Sequence, residues 1–592
     1  MRLWLIPAAL LALPVSTFAQ DKAQRKSLPP VAERLAAQNA LFDEQYEAEL
    51  REFPDRATSF GDYRYNDKLA ERSLAAIQRR EKADEAFLGR LEAIATDGFP
   101  EQDQLSHDIL KRGLEQRVAD FHLKEYEMPV NQFSGIHTTL ADLPNSVPFD
   151  SVKHYEDYIA RLHQIPQSLN DTIAVLRAGM KDKLMPVRFL LEKVPAQCQG
   201  IIEANPFLNP TKKYPANISA DDQKRLTQQI TEAVNGEVLP AYGAFAEFVK
   251  TEYAPQGRTT LAVTSLPNGD TRYQSNLYAR TTTHMTAEQI HQLGLREIDR
   301  IEAEMTAIAK KEGFADLAAF RAALKKNSKY VPASSEQILE DFRRYIAQME
   351  PKLPQLFGVL PKSPVTVEAI PAFQAATATH YVAGTPDGKR PGRVVVATAN
   401  FAERSLVDDE AVAYHEGIPG HHMQISIQRQ LTGLPKFRLQ GLGFGAFTEG
   451  WALYSEQLGK EVGFYQDPVS DYGRLSSELF RAVRLVVDTG IHAKGWSREQ
   501  VVEFMRKSGA IDEPTIQSEA DRYIAWPGQA CSYKIGQLKF RELRERAQKE
   551  LGAKFDLRQF HDEMLNGGSM PLDLLEARTE KWIAAQKAAA NR

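Results

Sequence analysis

The sequence predicts a mainly α-helical protein of two lobes, with one small β-sheet beside the cleft between them. Three observations carry that expectation. Apolar residues recur at helical spacing through most of the chain. Strand-like stretches are few and confined to two places. The composition, 43% apolar and 26% charged over 592 residues, is that of a globular protein with room for more than one core. At roughly 150 residues per unit the length would allow about four domains, but large all-helical chains often merge such units around one cleft. The expected division is residues 20–255 for an N-terminal lobe and 256–592 for a lobe carrying the sheet.

The chain opens with Arg2 and the apolar run Leu3 to Leu13, followed by Pro14 and by the small residues Thr17 and Ala19. That run is too brief to span a bilayer, and Thr17 and Ala19 fit the −3 and −1 positions of a cleavage site. Residues 1–19 therefore read as a signal peptide, with a periplasmic or secreted location and no stable membrane insertion after cleavage. The cysteines number two, Cys198 and Cys531, too few for a disulfide framework. They read equally as a pair or as two separate buried thiols. With 73 Lys+Arg against 78 Asp+Glu and no basic stripe, the chain lacks the electrostatic footprint of a nucleic-acid binder.

Helices are expected over about 31–52, 70–95, 101–122, 151–182, 221–251, 335–350, 476–493, 498–508 and 535–551, with breaks near 143–148, 205–217 and 254–257. Thr286 and Gln289 form a capping box, and Ile298, Ile301, Met305 and Ile308 continue that helix to Gly313. Strands are expected at 259–265 and 271–282, flanking Leu266-Pro267-Asn268-Gly269-Asp270 as a hairpin turn. A second pair, Val365–Ile370 and Arg393–Ala399, brackets a looser connection containing Pro386-Asp387-Gly388.

The densest chemistry is Tyr414-His415-Glu416-Gly417-Ile418-Pro419-Gly420-His421-His422-Met423-Gln424, which holds three of the 13 histidines. A zinc hydrolase needs two imidazoles on one face and a carboxylate next to the first, and His-Glu-x-x-His meets that need in one helical turn. Here the fourth position after His415 is Pro419, so that spacing is absent. On a regular helix His422 returns to within about 20° of His415, and His421 lies about 120° away. Gly417, Pro419 and Gly420 argue against a regular turn, and a bulge absorbing two residues would bring His421 into the second ligand position. His421 is favoured, with His422 as the alternative. Glu449, in Phe447-Thr448-Glu449-Gly450-Trp451, can complete a His/His/Glu set for one zinc ion, Zn2+. Glu456, seven residues on, shares its helix face and could orient a ligand.

These residues carry a wider resemblance. His415 to Gln424, the block Glu449 to Glu456, Arg484-Leu485-Val486-Val487-Asp488-Thr489-Gly490-Ile491-His492 and Pro527 to Gly536 resemble the bacterial domain-of-unknown-function 885 family. So do Pro54 to Gly61 and Thr281 to Glu288. More distantly the same blocks look like the helical gluzincin peptidases, the class of thimet oligopeptidase, carboxypeptidase Taq and angiotensin-converting enzyme. Their His-Glu-Phe-Gly-His is matched at its two ends by His415-Glu416 and Gly420-His421, with two extra residues between. The resemblance implies a two-lobed zinc metallopeptidase fold with Glu449 as third ligand. It also implies that Tyr533, in a segment similar to Tyr-Ser-Tyr, contacts the transition state, and that Phe560-His561-Asp562 with Gly568 and Pro571-Leu572 form a closing helix-turn.

The expected chemistry is hydrolysis of short peptides, with Glu416 as general base and Tyr533 and then His492 as donors to the developing oxyanion. Arg484 and Arg522 could grip a peptide carboxylate, although structural ion pairing is the commoner use of such residues. The alternatives are a non-catalytic metal-binding or scaffold protein of the same fold, and a metal hydrolase of a non-peptide amide or ester. Serine chemistry is disfavoured, because the glycine run at Gly441, Gly443 and Gly445 lacks the serine of a nucleophile elbow. That run is expected to let ligand-bearing helices approach one another.

Overall fold

The computed structural model describes residues 28–370, 378–384, 391–440, 443–509 and 511–589. The signal-peptide segment and the Pro386-Asp387-Gly388 turn lie outside the described residues.

Among the described residues the molecule is mainly helical, with one three-stranded sheet. In chain order the elements that frame the argument are α1 (Val31–Glu52), α2 (Leu74–Glu92), α3 (Glu101–His122), α4 (Val152–Asp182), α5 (Ala220–Ala233) and α6 (Leu239–Phe248), then α7 (Gly269–Thr281), α8 (Ala287–Lys311) and α9 (Ser335–Met349). Strands β1 (Val365–Ala369), β2 (His380–Val382) and β3 (Gly392–Val396) follow. The site is then built from α10 (Asp409–Glu416), α11 (His421–Gln430), α12 (Gly445–Glu461), α13 (Pro468–Lys494), α14 (Glu513–Ala525) and α15 (Ser532–Leu551). The capping box at Thr286 and Gln289 is formed, each side chain bonding the other residue's backbone N–H.

Burial divides the apolar residues into three main cores. One has all its buried residues within 130–254, including Tyr158 and Leu162 of α4 and Tyr242 of α6, with Leu69 packed against it. A second unites Leu41 and Phe42 of α1 and Ile109 of α3 with Tyr414, Trp451 and Phe540. The third packs Ile301 and Met305 of α8 against Leu479, Val483 and Val487 of α13 and Tyr523 of α14. Helices α1 and α3 thus share a core with the C-terminal helices. Cys198 lies buried in the first of these cores and Cys531 in the second, both as free thiols.

The expected hairpin around Asn268-Gly269 is not formed. Val263–Ser265 is a single 3-10 turn, and Gly269–Thr281 is a helix. Asn268 does take the left-handed conformation, φ 56°, but as the residue that enters α7. A Cβ on Gly269 would lie 2.1 Å from the Thr264 carbonyl oxygen, so the glycine serves close backbone approach. Buried Tyr273, Leu277 and Thr281 recur every four residues. That helical period outweighs the β-propensity of the Thr and Tyr residues, because the buried stripe faces other helices.

The second expected pair does form strands, but with a different topology. β1 and β3 are parallel, Val365 opposite Gly392, and β2 lies antiparallel on the far side of β3. β3 is the buried central strand, with Val394 and Val396 inside.

Helices α12 and α15 meet at Gly450 and Gly536 and not at Gly443 or Gly445, while Gly441 lies outside the described residues. A Cβ on Gly450 of α12 would stand 2.4 Å from the Gly536 Cα of α15. A Cβ on Gly445 meets nothing nearer than Ser532 at 3.8 Å. Gly450→Ala is expected to destabilise the fold by about 1–3 kcal/mol, since both sides of the contact are backbone. Gly200→Ala, where nothing lies within 4 Å, should be neutral or stabilising. Chemical denaturation midpoints of the two variants check this, and an unchanged midpoint for Gly450→Ala would sink the close-contact argument.

Candidate metal centre

The link between α10 and α11 explains how a six-residue spacing can place two imidazoles together. Gly417 N–H bonds the Ala413 carbonyl as the last regular helical step. Gly420 N–H then reaches the Tyr414 carbonyl at 3.0 Å, six residues back in place of the usual four. Two extra residues are absorbed there, around a cis Ile418–Pro419 bond. A side chain at Gly420 would collide with the His415 carbonyl oxygen, 2.0 Å from its Cβ. Trp451 Nε1 donates to the Pro419 carbonyl at 2.9 Å, tying the bulge to α12, the helix that carries Glu449.

His415, His421 and Glu449 consequently converge. Their candidate ligand atoms all lie within 4.8 Å of one another. His415 Nε2 is 3.6 Å and His421 Nε2 3.4 Å from Glu449 Oε2. Those separations exceed an ordinary hydrogen bond, and they match the edge of about 3.4 Å expected between tetrahedral ligands each about 2.1 Å from one zinc ion. Two neutral imidazoles and one carboxylate form the donor set of a zinc site with a fourth position open.

Neighbouring groups orient these ligands. His415 Nδ1–H donates to Glu456 Oε1 at 2.8 Å, which leaves Nε2, on the side of Glu449, as the nitrogen that would bind a metal. Burial disfavours charge on His415, but the Glu449 and Glu456 carboxylates, helped by Glu416, push its pKa up to about 9. Burial likewise opposes ionisation of Glu449, and the two histidines hold its carboxyl well below the usual range. His421 is 8% exposed, and its Nδ1 has no protein partner among the described residues.

His422 points elsewhere. Its Nε2 donates to the Ser363 carbonyl at 2.9 Å, and its Nδ1 accepts from the Tyr381 hydroxyl at 3.0 Å. Burial pushes its pKa down to about 4. This histidine fastens α11 to the sheet.

Glu416 ends α10 beside His415 and is 9% exposed. Tyr533, at the start of α15, is half-buried. Burial raises its hydroxyl pKa, and the Glu449 carboxylate adds to the effect. The structure does not make His492 available as a donor to substrate. Its Nδ1 accepts from the Val263 N–H at 3.0 Å, and its Nε2–H donates to the Tyr523 carbonyl at 2.9 Å. Both ring nitrogens are used within the fold. Asp488, one turn earlier, accepts from the Tyr273 hydroxyl at 2.7 Å and from the Gly528 N–H at 3.0 Å, holding the turn that leads to Tyr533. Arg484 and Arg522 both bond Glu519.

Tyr381 and Glu519 escaped the sequence reading. Neither lies near the histidine block in the chain, and no local spacing points to them. Trp451 lay inside a recognised block, and only its contact with Pro419 reveals its role.

A model of a bacterial protein family of unknown function, DUF885, matches residues 54–578. Among solved structures, a candidate lipoprotein from Colwellia psychrerythraea is 26% identical, with a TM-score of 0.88 over 94% of this chain and 100% of its own. A candidate lipoprotein of unknown function from Shewanella oneidensis is 19% identical, with a TM-score of 0.71 over 93% of this chain and 99% of its own. The second likeness is one of fold alone. No curated protein matches the sequence.

Proposed function

Since this chain belongs to the DUF885 family, whose function its description leaves open, we propose from the site that it is a zinc-dependent peptidase acting on short peptides outside the cytoplasm. The observation that carries the reading is the convergence of His415, His421 and Glu449 at tetrahedral spacing, with Glu456 orienting His415 and Glu416 adjacent in the chain. The helical architecture and the order of these blocks support a two-lobed fold of the gluzincin kind with the site in its cleft. The candidate lipoprotein from Colwellia psychrerythraea and the signal-like N-terminus support a periplasmic or secreted location. No helix among the described residues is long and apolar enough to cross a membrane.

In this mechanism a bound zinc ion supplies Lewis acidity and lowers the pKa of water toward about 7. Glu416 accepts the proton of the attacking water and passes it to the leaving amine nitrogen. Tyr533 donates its hydroxyl hydrogen to the oxygen that gains charge as the carbonyl is attacked. Glu456 keeps His415 in the tautomer that presents Nε2.

Elemental analysis of the purified protein should find about one zinc per chain. A peptide-library digest read by mass spectrometry should show cleavage that chelator abolishes and added zinc restores. Failure of the zinc-loaded protein to cleave any member would overturn the peptidase reading.

A further inference from the structure

Helix α13 passes through the protein interior, and between Tyr472 and His492 its only residues that are not buried are Phe480 and Arg481. Solvent therefore reaches this helix at those two residues. Arg484, one turn from Phe480, lines the same place, its guanidinium carbon 4.2 Å from the Phe480 ring centre and 4.5 Å from that of Tyr533. Tyr533 in turn belongs to the candidate metal centre. It starts the helix whose backbone meets α12 at Gly450, the residue after Glu449.

The charges around these residues are shared unevenly. Arg522 takes Glu519 with both prongs, Nε to Oε1 and Nη2 to Oε2, each at 2.8 Å. Arg484 Nη2 shares the same Oε2 at 3.1 Å, and the Tyr523 hydroxyl also donates to it at 2.6 Å. That carboxylate accepts four hydrogen bonds, three of them at Oε2, and Arg484 Nη1 is buried with no partner among the described residues. Arg481 bonds only Ser477, at Oγ 2.6 Å and at the carbonyl 3.2 Å, and has no carboxylate in ion-pair range among the described residues. Two guanidinium groups therefore share the Glu519 carboxylate, and Arg481, three residues before Arg484, has Asp408 as the acid on which its charge acts. A buried guanidinium that shares its carboxylate and keeps a free N–H is stabilised when a further anion completes it, and a planar donor fork suits a carboxylate.

We propose that Arg481 and Arg484 form a subsite for a substrate carboxylate, placed beyond Tyr533 from the metal centre so that the protein prefers short peptides ending in a free carboxyl group. This inference rests on the peptidase reading of that centre. A peptide whose C-terminal carboxylate took up the free Arg484 Nη1 would have its residues after the scissile bond alongside Tyr533. An Asp or Glu side chain offers the same chemistry, and the test separates the two sources.

Binding is measured by calorimetry on zinc-loaded Glu416→Gln protein, so that hydrolysis does not intervene. The probes are one short peptide as free acid, the same peptide as C-terminal amide, and the amide with its last residue replaced by Glu. The free acid should bind about 10- to 100-fold more tightly than the amide, the range of a hydrogen bond to a charged group. The Glu-bearing amide should stay near the weak value, and recovery by it to the free-acid value would overturn the assignment to the terminal carboxylate. In Arg481→Gln the acid-to-amide ratio should fall toward one. Arg484→Lys, which keeps the buried charge, should lower the same ratio if Arg481→Gln fails to fold. Equal binding of acid and amide by the parent, no binding of any probe, or an unchanged ratio in both arginine variants overturns the proposal. Carboxylate preference without turnover in the Glu416-containing protein would instead leave the subsite standing and remove the peptidase reading.

Discussion

Glu416→Gln is expected to keep its zinc and its fold while losing peptide turnover by a factor on the order of 10² or more, the scale on which a positioned acid–base group acts. The argument is one of position and charge. Glu416 follows His415 directly at the end of α10, where the helix stops and the bulge begins. It is absent from the converging set of His415, His421 and Glu449, so replacing its carboxylate removes a proton acceptor without removing a ligand. Steady-state kinetics beside zinc analysis of the same preparation makes the test. The acidic limb of the rate profile should vanish with the carboxylate and persist in Tyr533→Phe, which retains the base and loses a donor to the oxyanion. Turnover equal to the parent's in Glu416→Gln would remove this residue from the chemistry even with zinc fully bound.

Loss of zinc is the second large effect. Glu449→Gln and His415→Ala should each lower occupancy sharply, because each deletes one of three protein donors and leaves the others unable to close a tetrahedral set. His421→Ala should do the same. His422→Ala should retain most of the metal, since its ring nitrogens bond Ser363 and Tyr381. Its loss should show in stability, because those bonds connect α11 to the sheet. Zinc content by elemental analysis, paired with a thermal melt, distinguishes the two histidines. Full occupancy in Glu449→Gln, or the reverse order for His421 and His422, would mean that a different set of residues binds the ion.

Much of this architecture was legible because local periodicity reports burial. The helices over 31–52 and 101–122 begin and end in the structure at the residues expected from their apolar spacing, and the Thr286–Gln289 box is a wholly local device. The hairpin around Asn268-Gly269 misled for the opposite reason. Asn-Gly specifies a left-handed residue but not which element follows it, and the buried stripe of Tyr273, Leu277 and Thr281 settled the matter as helix. The relation of β1 to β3 was illegible as well. Strand direction depends on how the chain returns, and alternation within each strand does not encode it.

At the site, the sequence by itself determined which residue types could serve: two histidines, a carboxylate after the first of them, and a glutamate on a later helix with another one seven residues on. Glycine and proline between the histidines also announced that no regular turn could stand there. Tertiary structure alone decided which histidine faces Glu449, since that choice depends on a hydrogen bond spanning six residues and on the Trp451 contact that holds the bulge to the next ligand's helix. It likewise decided that His492 is engaged by Val263 and Tyr523, and that Arg484 and Arg522 share one carboxylate, that of Glu519. The physical reason is common to these cases: a side chain's chemistry is local to its residue, whereas a lone pair, a free N–H or an unbalanced charge depends on every partner that folding brings within reach.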